Sequence, residues 1–563
     1  MRMTRRAFLR DGSRATAGFV LAFRLDAGTA LAAGASTSEF APNAYIRIGT
    51  DNIVRLWATR SEMGQGVRTL LPMVLADELD ADWDKIVIEQ AGPDPRFKGI
   101  RLRTSGSGSA AGTWGPLRKA AATAREMLIS AAAEQWKVTA ETCRAERGYV
   151  IHAASNRTLS FGELAPAAAQ MPVPSKPRLK DAKEFRLVGK PVKRRDGKAI
   201  VGGRAIYGQD VKLPGMLYAV VARCPYLGGK LASCDPAPAL KIAGVKQVVP
   251  VRTGFSGGIA VVAVNTWAAL KGRAALQPVW DKGPNAAFDS DAFTHEMEEG
   301  LKQPGYPSRR DGDAPAALAR AQRTLEAWYE YPYQAHAPLE TMNCTAHVHE
   351  SSCEIWVPTQ APEAAQQETG RLLGIPLESV QINITMLGGG FGRRLQVDYV
   401  PEAVEIAKAV GKPVQVVWTR EDDMKHGFFH PPKIEHVRAA LDEHGFPTSW
   451  HHRSAGPSLS VLGLPSAEDK KNQNFYRDDG MPWARSTTLT TSPTIGQTSF
   501  PWNHLYRQAR GVRCFIRRPS LPANHFWMKL PTQPKSIQLL FACACWTRAM
   551  CWTCRLRKLS ARG

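Results

Sequence analysis

The stretch Leu387-Gly388-Gly389-Gly390-Phe391-Gly392-Arg393-Arg394 is the part of this 563-residue chain whose residue types speak most directly of chemistry. Glycines let backbone approach a ligand closely, and successive N–H groups can cradle an anion or an oxo group. Arg393 and Arg394 add two cations that could meet a phosphate. The run matches neither the Walker nor the dinucleotide fingerprint, and on its own it is equally compatible with a tight turn. Two other groups have the character of metal ligands. In Cys344, His347, His349 and Cys353, the two histidines would share one face of a strand, which is permissive geometry for zinc. The preferred reading is ordinary strand residues. Cys543, Cys545, Cys551 and Cys554 superficially offer a Cys-x-x-Cys pattern, but their surroundings are so abnormal in composition that an accidental pattern is preferred. No metal ligand is assigned. The five cysteines before residue 480 show neither iron–sulfur nor compact disulfide spacing and read as core residues, with room for one disulfide pair among them.

The 388–394 run needs a scaffold, and the flanking pattern supplies one. A strand is expected over 380–385, just before the run, with helices over 361–373 and 401–410. Near the N-terminus, Tyr45-Ile46-Arg47-Ile48 and Ile53-Val54-Arg55-Leu56-Trp57 alternate about Thr50-Asp51-Asn52, the pattern of a β-hairpin. A helix over 69–79, a strand over 85–88 and a long Ala-rich helix over 117–136 follow. Before the Ala-rich helix lies Thr104-Ser105-Gly106-Ser107-Gly108-Ser109, a flexible loop of small residues. The Pro- and Lys-rich stretch 172–191 reads as the heart of a linker over 166–196. A second unit starts near Gly197, with strands over 220–222, 245–251 and 259–264; a third starts near Thr324. The expected class is α+β with several domains.

Length allows roughly three or four domains at about 150 residues each, and 44% hydrophobic with 22% charged residues is ordinary for a globular protein. The net charge of +22 would suggest a nucleic-acid or anionic partner, but its distribution argues against one. Residues 480–563 contain 13 Lys and Arg, five of the ten cysteines and no Asp or Glu. The preceding 479 residues carry 60 basic against 51 acidic groups, a net of only +9. A shifted reading frame or a foreign segment explains such a stretch better than selection for a basic domain, and no nucleic-acid recognition motif accompanies it. Residues 1–33 have the layout of an export signal: Thr4-Arg5-Arg6-Ala7-Phe8-Leu9-Arg10, a weakly apolar stretch over 15–23, and Ala30-Leu31-Ala32 at the position of a cleavage site. This resembles the twin-arginine type, which implies a periplasmic location.

The motifs become specific when taken in order. His336-Ala337-Pro338-Leu339-Glu340-Thr341-Met342-Asn343-Cys344 comes first; Val357-Pro358-Thr359-Gln360 then ends a strand; the 388–394 run follows about thirty residues later; Trp418-Thr419-Arg420-Glu421-Asp422-Asp423-Met424 closes the set. This constellation resembles the molybdenum-binding domain of the xanthine oxidase family, in the branch of isoquinoline 1-oxidoreductase large subunits and membrane-associated aldehyde dehydrogenases. Residues 203–218 resemble that family's α/β-hammerhead domain. Met63-Gly64-Gln65-Gly66, with the Ser-Gly loop after it, resembles a cofactor-binding piece that this branch carries near the N-terminus. The resemblance covers roughly 40–479. It implies an N-terminal cofactor-binding piece over 40–165, a hammerhead domain over 197–300 and a molybdenum-cofactor domain over 310–479. It implies that the Gln360 amide contacts an oxo ligand of molybdenum and that the backbone of Gly389, Gly390, Phe391 and Gly392, with Arg393, lines the metal group. Gln65, Gly66, Ser105, Ser107 and Ser109 would hold the pterin and its phosphates.

The cofactor implied is molybdopterin cytosine dinucleotide with molybdenum, and the reaction is hydroxylation at an electron-poor carbon with a glutamate as base. Partners implied are a small [2Fe–2S] subunit and a cytochrome c subunit, with peripheral placement on the inner membrane through them. Two departures narrow this. Arg394-Leu395 stands where many members have Lys-Glu, and the arginine that steadies purines has no match near Phe429. An aldehyde or N-heteroaromatic substrate fits better than a purine. The family's catalytic glutamate lies in a Gly-Glu loop beyond the family-like part, and 480–563 holds no glutamate, so no base is named and an inactive, frameshifted product is the competing reading. Translation of the gene in all three frames around codon 480 tests the frameshift: another frame is expected to restore carboxylates and a Gly-Glu loop. If no frame does so, the frameshift explanation fails.

Overall fold

Ile46, Ile48, Val54 and Leu56 are all buried, and the strands they lie on, Ile46–Ile48 and Val54–Ala58, pair antiparallel about a turn whose Asn52 takes a left-handed φ of 57°. This is the hairpin that alternation requires. The computed structural model describes residues 45–254, 257–303 and 312–457, and the backbone alone of strands at 19–20, 309–311, 488–491 and 555–562. The expected export signal, and 480–563 apart from those two strand backbones, lie outside the described residues.

Strand Val54–Ala58 continues into helix Val67–Leu79, which crosses over so that Ile86–Gln90 can pair parallel to it. The helix buries Val67, Leu71, Val74, Leu75 and Leu79 against the Ala-rich helix Ser109–Trp136, whose Ala120, Ala121, Ala124, Ala131 and Ala132 let the two axes approach closely. The Ala-rich helix begins eight residues earlier than its apolar periodicity indicates. Its first two turns contain Gly112, Gly115 and Pro116 and are largely exposed, so they carry no apolar stripe for the sequence to display. A three-stranded sheet, Cys143–Glu146, Tyr149–His152 and Arg157–Ser160, packs alongside. Its first turn uses Arg147 and Gly148, both at positive φ, the geometry that suits two-residue hairpins.

The 172–191 stretch has no strand or α-helix, as a linker should, yet it is fastened down. Asp77 accepts the N–H groups of Arg186, Leu187 and Val188 at 3.0, 3.0 and 2.8 Å. Glu78, fully buried, accepts from the Lys180 N–H at 2.7 Å and pairs with Arg118 at 2.7 Å and Arg125 at 3.1 Å. Lys180 Nζ meets Asp80 at 2.7 Å. Asp77 and Glu78 lie in the last turn of helix Val67–Leu79 and Asp80 is its C-cap, so the end of this helix anchors the linker.

A seven-stranded sheet follows, in the order Val245–Val251, Gly258–Ala263, Leu217–Arg223, Val414–Val417, Asn343–Val348, Cys353–Val357 and Val380–Ile384. Helix Tyr399–Val410 covers it with Tyr399, Val400, Ala403, Val404, Ile406 and Ala407, all buried. The expected segments 197–300 and 310–479 both contribute strands to this sheet. Strand Leu217–Arg223 pairs parallel with Val414–Val417, so both segments share one sheet. By compactness the chain divides into Met1–Gly283 with Ala337–His426, and Pro284–His336 with Gly427–Gly563. Periodicity marks strands but not which edge pairs with which, and this pairing spans almost two hundred residues. The second unit is built on antiparallel strands Arg323–Tyr331, Lys433–Leu441 and Pro447–Ala455, with Trp328 stacked on His436 at 3.9 Å.

Removing one partner of a buried ion pair strands the other. Glu78→Ala should therefore cost about 3–5 kcal/mol, read as a lower urea-unfolding midpoint, while Glu368→Ala on an exposed pair should leave the midpoint unchanged. Equal midpoints for wild type and Glu78→Ala would show that the linker contacts are dispensable.

Candidate functional site

The 388–394 run leaves strand Val380–Ile384 and turns sharply, with positive φ at Gly389 (95°), Phe391 (53°) and Gly392 (102°). A left-handed aromatic residue costs on the order of 1–3 kcal/mol and persists only where its surroundings over-determine it. Here they do. Glu340 Oε2 accepts the Gly388 N–H at 2.9 Å, and the Glu340 N–H donates to the Gly388 carbonyl at 3.0 Å. Arg394 donates to the carbonyls of Gly389, Pro358 and Glu340 at 2.9, 3.1 and 2.7 Å and reaches the Glu340 carboxylate at 3.2 Å. Phe391 itself is 62% exposed.

These bonds correct the expectation that the arginines meet phosphate. Arg393 is buried, bidentate to Asp398 at 2.8 and 2.9 Å, and lies over the Trp418 ring. Arg394 is also fully buried. Both guanidinium groups face inward because the turn's carbonyls and Asp398 would otherwise lack partners. The backbone of the run and the exposed Phe391 ring are left to face a ligand.

Gln360 is 2% exposed and stands where three segments meet. Its backbone N–H donates to the Arg394 carbonyl, and its own carbonyl accepts from the Thr104 N–H at 2.8 Å. Its side-chain amide donates to the Thr104 carbonyl at 2.8 Å and accepts from the Gly392 N–H at 3.1 Å. One amide hydrogen remains for a further acceptor. A Cβ on Gly390 would meet Gln360 Oε1 and Met63 Sδ, each at 2.6 Å, so glycine is required for this close approach.

The Met63-Gly64-Gln65-Gly66 loop is organised by a residue that the sequence reading left without a role. Glu62, 2% exposed, accepts the N–H groups of Gly64 and Gly66 on one oxygen and of Arg68 on the other, each at 2.9 Å. Its carbonyl accepts from Leu387, which ties this loop to the 388–394 run. Gln65 closes the loop internally, accepting from the Met63 N–H at 2.7 Å and donating to the Ser61 carbonyl at 3.0 Å. Gly66 spends its N–H on Glu62, so neither it nor most of the Gln65 amide is free for the pterin. Glu62 and Glu340 were findable in principle: each is a carboxylate beside a glycine-rich turn whose N–H groups need an acceptor.

The two helix starts consequently differ. Helix Val67–Leu79 has its positive end satisfied by Glu62. The 28-residue helix Ser109–Trp136 starts at Gly108 with no side-chain cap and no acidic residue in its first turn. Its approach, with Gly106 and Ser107 at positive φ, carries Ser105 and Ser109, both half-buried. Arg101 donates to Ser105 Oγ at 2.8 Å. A Cβ on Gly64, Gly66 or Gly106 would meet nothing within 4 Å. This backbone borders open space beside an uncompensated helix N-terminus, which fits an anionic group. The structure thus brings Gln360, the 388–392 backbone and the 63–66 and 104–109 loops together, while Arg393 pairs with Asp398, and Gln65 and Gly66 bond within their own loop.

Comparison with known proteins agrees with this geometry. Molybdopterin cofactor-binding domain models match residues 10–202 and 297–456. The chain is 31% identical over 494 residues to the beta chain of isoquinoline 1-oxidoreductase from Brevundimonas diminuta, covering 79% of this chain and 62% of that protein. It is 31% identical over 429 residues to a membrane-bound aldehyde dehydrogenase of Gluconacetobacter polyoxogenes, covering 74% and 55%. It is 28% identical over 440 residues to one of the subunits of nicotinate dehydrogenase from Pseudomonas putida, covering 74% and 36%. The chain thus spans less than two thirds of the length of each. It belongs to the xanthine oxidase family of molybdenum-binding large subunits.

Gly390→Ala places a methyl group against Gln360 and Met63. Overpacking of this kind costs about 1–3 kcal/mol. Met63 can swing away but the doubly bonded Gln360 cannot, so the expected result is severalfold less molybdenum per purified chain with the circular dichroism spectrum unchanged. Full molybdenum retention would show that the three segments do not have to meet this closely.

Proposed function

We propose that this chain is the molybdenum-binding part of an oxidoreductase that oxidises an aldehyde or an N-heteroaromatic compound such as isoquinoline and passes electrons to an iron–sulfur subunit. The observation that carries the reading is the buried Gln360 amide, held by Thr104 and Gly392 at the junction of three loops with one N–H left over. When bound, a molybdenum–pterin group supplies oxygen insertion and two-electron transfer.

This chain's residues supply position and electrostatics. The first turn of helix Ser109–Trp136, with Ser105, Ser107 and Ser109, would hold the phosphates. The Gln360 amide would donate its remaining hydrogen to an acceptor on the metal group, and the backbone of Gly389 to Gly392 would wall that group in. Glu62 and Glu340 keep these walls in place. Neither acts as the base, since each is buried and bonded to backbone N–H groups, and 480–563 contains no carboxylate side chain. The five described cysteines are free thiols scattered through the chain, so the reading assigns electron exit to a partner carrying [2Fe–2S] centres, with a cytochrome c beyond it. The cytosine dinucleotide form of the cofactor and periplasmic export by the 1–33 segment, with peripheral attachment to the inner membrane through partners, belong to the same proposal. The substrate classes follow those named for the relatives, together with the missing purine-binding arginine.

The test is metal analysis of the chain purified from a molybdate-supplied host, combined with a dye-linked assay on benzaldehyde and isoquinoline. The expected outcome is about one molybdenum per chain with turnover of one substrate class. A chain without molybdenum refutes the proposal. A chain with molybdenum but no turnover, even with its iron–sulfur partner present, favours an inactive product that lacks its base.

A further inference from the structure

At the turn joining strands Asn343–Val348 and Cys353–Val357, three side chains gather that the cofactor site does not use. His347 and Glu354 are directly opposite in the antiparallel register, and His349 lies two residues beyond His347. Side chains alternate along a strand, so these three share the outward face, while Cys344, Ala346, Cys353 and Ile355 are buried on the other. The cysteines are core residues, as the preferred sequence reading has it. The histidines have found a different third member, Glu354, which only the register brings to them.

We propose that His347, His349 and Glu354 form a binding site for a borderline divalent cation of the zinc type, separate from the cofactor site. One ligand atom from each residue lies within 4.8 Å of the others. His349 Nε2 is 3.5 Å from Glu354 Oε2, and the two imidazole rings are 4.0 Å apart. With metal–ligand distances of about 2.0–2.1 Å, tetrahedral ligands sit about 3.3 Å apart, so side-chain rotation alone closes the set. The backbone is already fixed: the His349 N–H donates to the Ser352 carbonyl at 2.8 Å, which holds the turn. A simple ion pair between His349 and Glu354, worth about 0–1 kcal/mol at an exposed site, would leave the second imidazole without a purpose.

Two nitrogens and one carboxylate oxygen suit zinc and its neighbours rather than magnesium or calcium, and a fourth position stays open to water. The site lies at the turn end of both strands. Glu340 and Gln360 flank the opposite ends, roughly 20 Å or more away along the strands at about 3.3 Å per residue. An ion here would clasp the two strands that lead to the cofactor loops.

The experiment titrates the full chain with Zn2+ against a chromophoric chelator at neutral pH and repeats the titration with Co2+ to record tetrahedral visible bands. Wild type is expected to take up one ion per chain with those bands. His347→Gln, His349→Gln and Glu354→Gln, all at partly or fully exposed positions, should each weaken binding about tenfold or more, with molybdenum content and circular dichroism unchanged. Absence of Zn2+ uptake by wild type, or equal affinity in all three variants and wild type, overturns the proposal. Because molybdenum content is read separately, failure here is distinguishable from failure of the cofactor reading.

Discussion

A primary amide taken out of water must replace its hydrogen bonds, and where it finds them decides what its neighbours can do. Gln360 replaces them with Thr104 from one loop and Gly392 from another, and Gly390 lies so close that an added methyl group would collide with it. Through its side chain and its backbone alike, this one residue joins the Ser-Gly loop to the glycine run. The rest of the site is arranged to let Gln360 stay buried: Glu340 and Arg394 grip the turn from below, and Glu62 draws the 63–66 loop towards Leu387.

Buried carboxylates do most of this work, and they act in one way. Asp77, Glu62 and Glu340 each accept backbone N–H groups at turns where no secondary structure can satisfy them. Glu402 has a related task deeper in the sheet, where it joins Arg223 and Trp418. Burial raises the Glu402 pKa above the usual carboxylate range, with the Arg223 charge and hydrogen bond working against that rise. The charges that are buried thus serve largely to fasten loops. The two arginines of the glycine run are the sharpest case, because their placement in the motif suggests phosphate and their burial denies it.

The contrast between the two helix starts has a functional edge. A helix N-terminus attracts anions only if no local carboxylate has already claimed it. Glu62 claims one of them, and the Ala-rich helix leaves the other open beside three serines. The divalent-cation site proposed at the turn between strands Asn343–Val348 and Cys353–Val357 follows the opposite logic, with two imidazoles and a carboxylate gathered on an outward sheet face.

Much of this was legible in the residues. The hairpin at 46–58, the helices and strands about the glycine run, and the membership of an α+β molybdenum-binding family could all be read, because alternation, periodicity and ordered motifs are local properties. Gln360 and the glycine run were singled out by the order of motifs that resembles the family, and the parallel pairing of Cys353–Val357 with Val380–Ile384 sets them at adjacent strand ends. What the chain pairs over long distances was not legible. The Leu217–Arg223 strand meeting Val414–Val417, the linker pinned by Asp77 and Glu78, and Glu354 facing two histidines all depend on register and packing. The roles of Arg393 and Glu62 were decided there too, since a side chain's partners are chosen by what lies within about 3 Å in the folded state, and sequence order does not measure that distance.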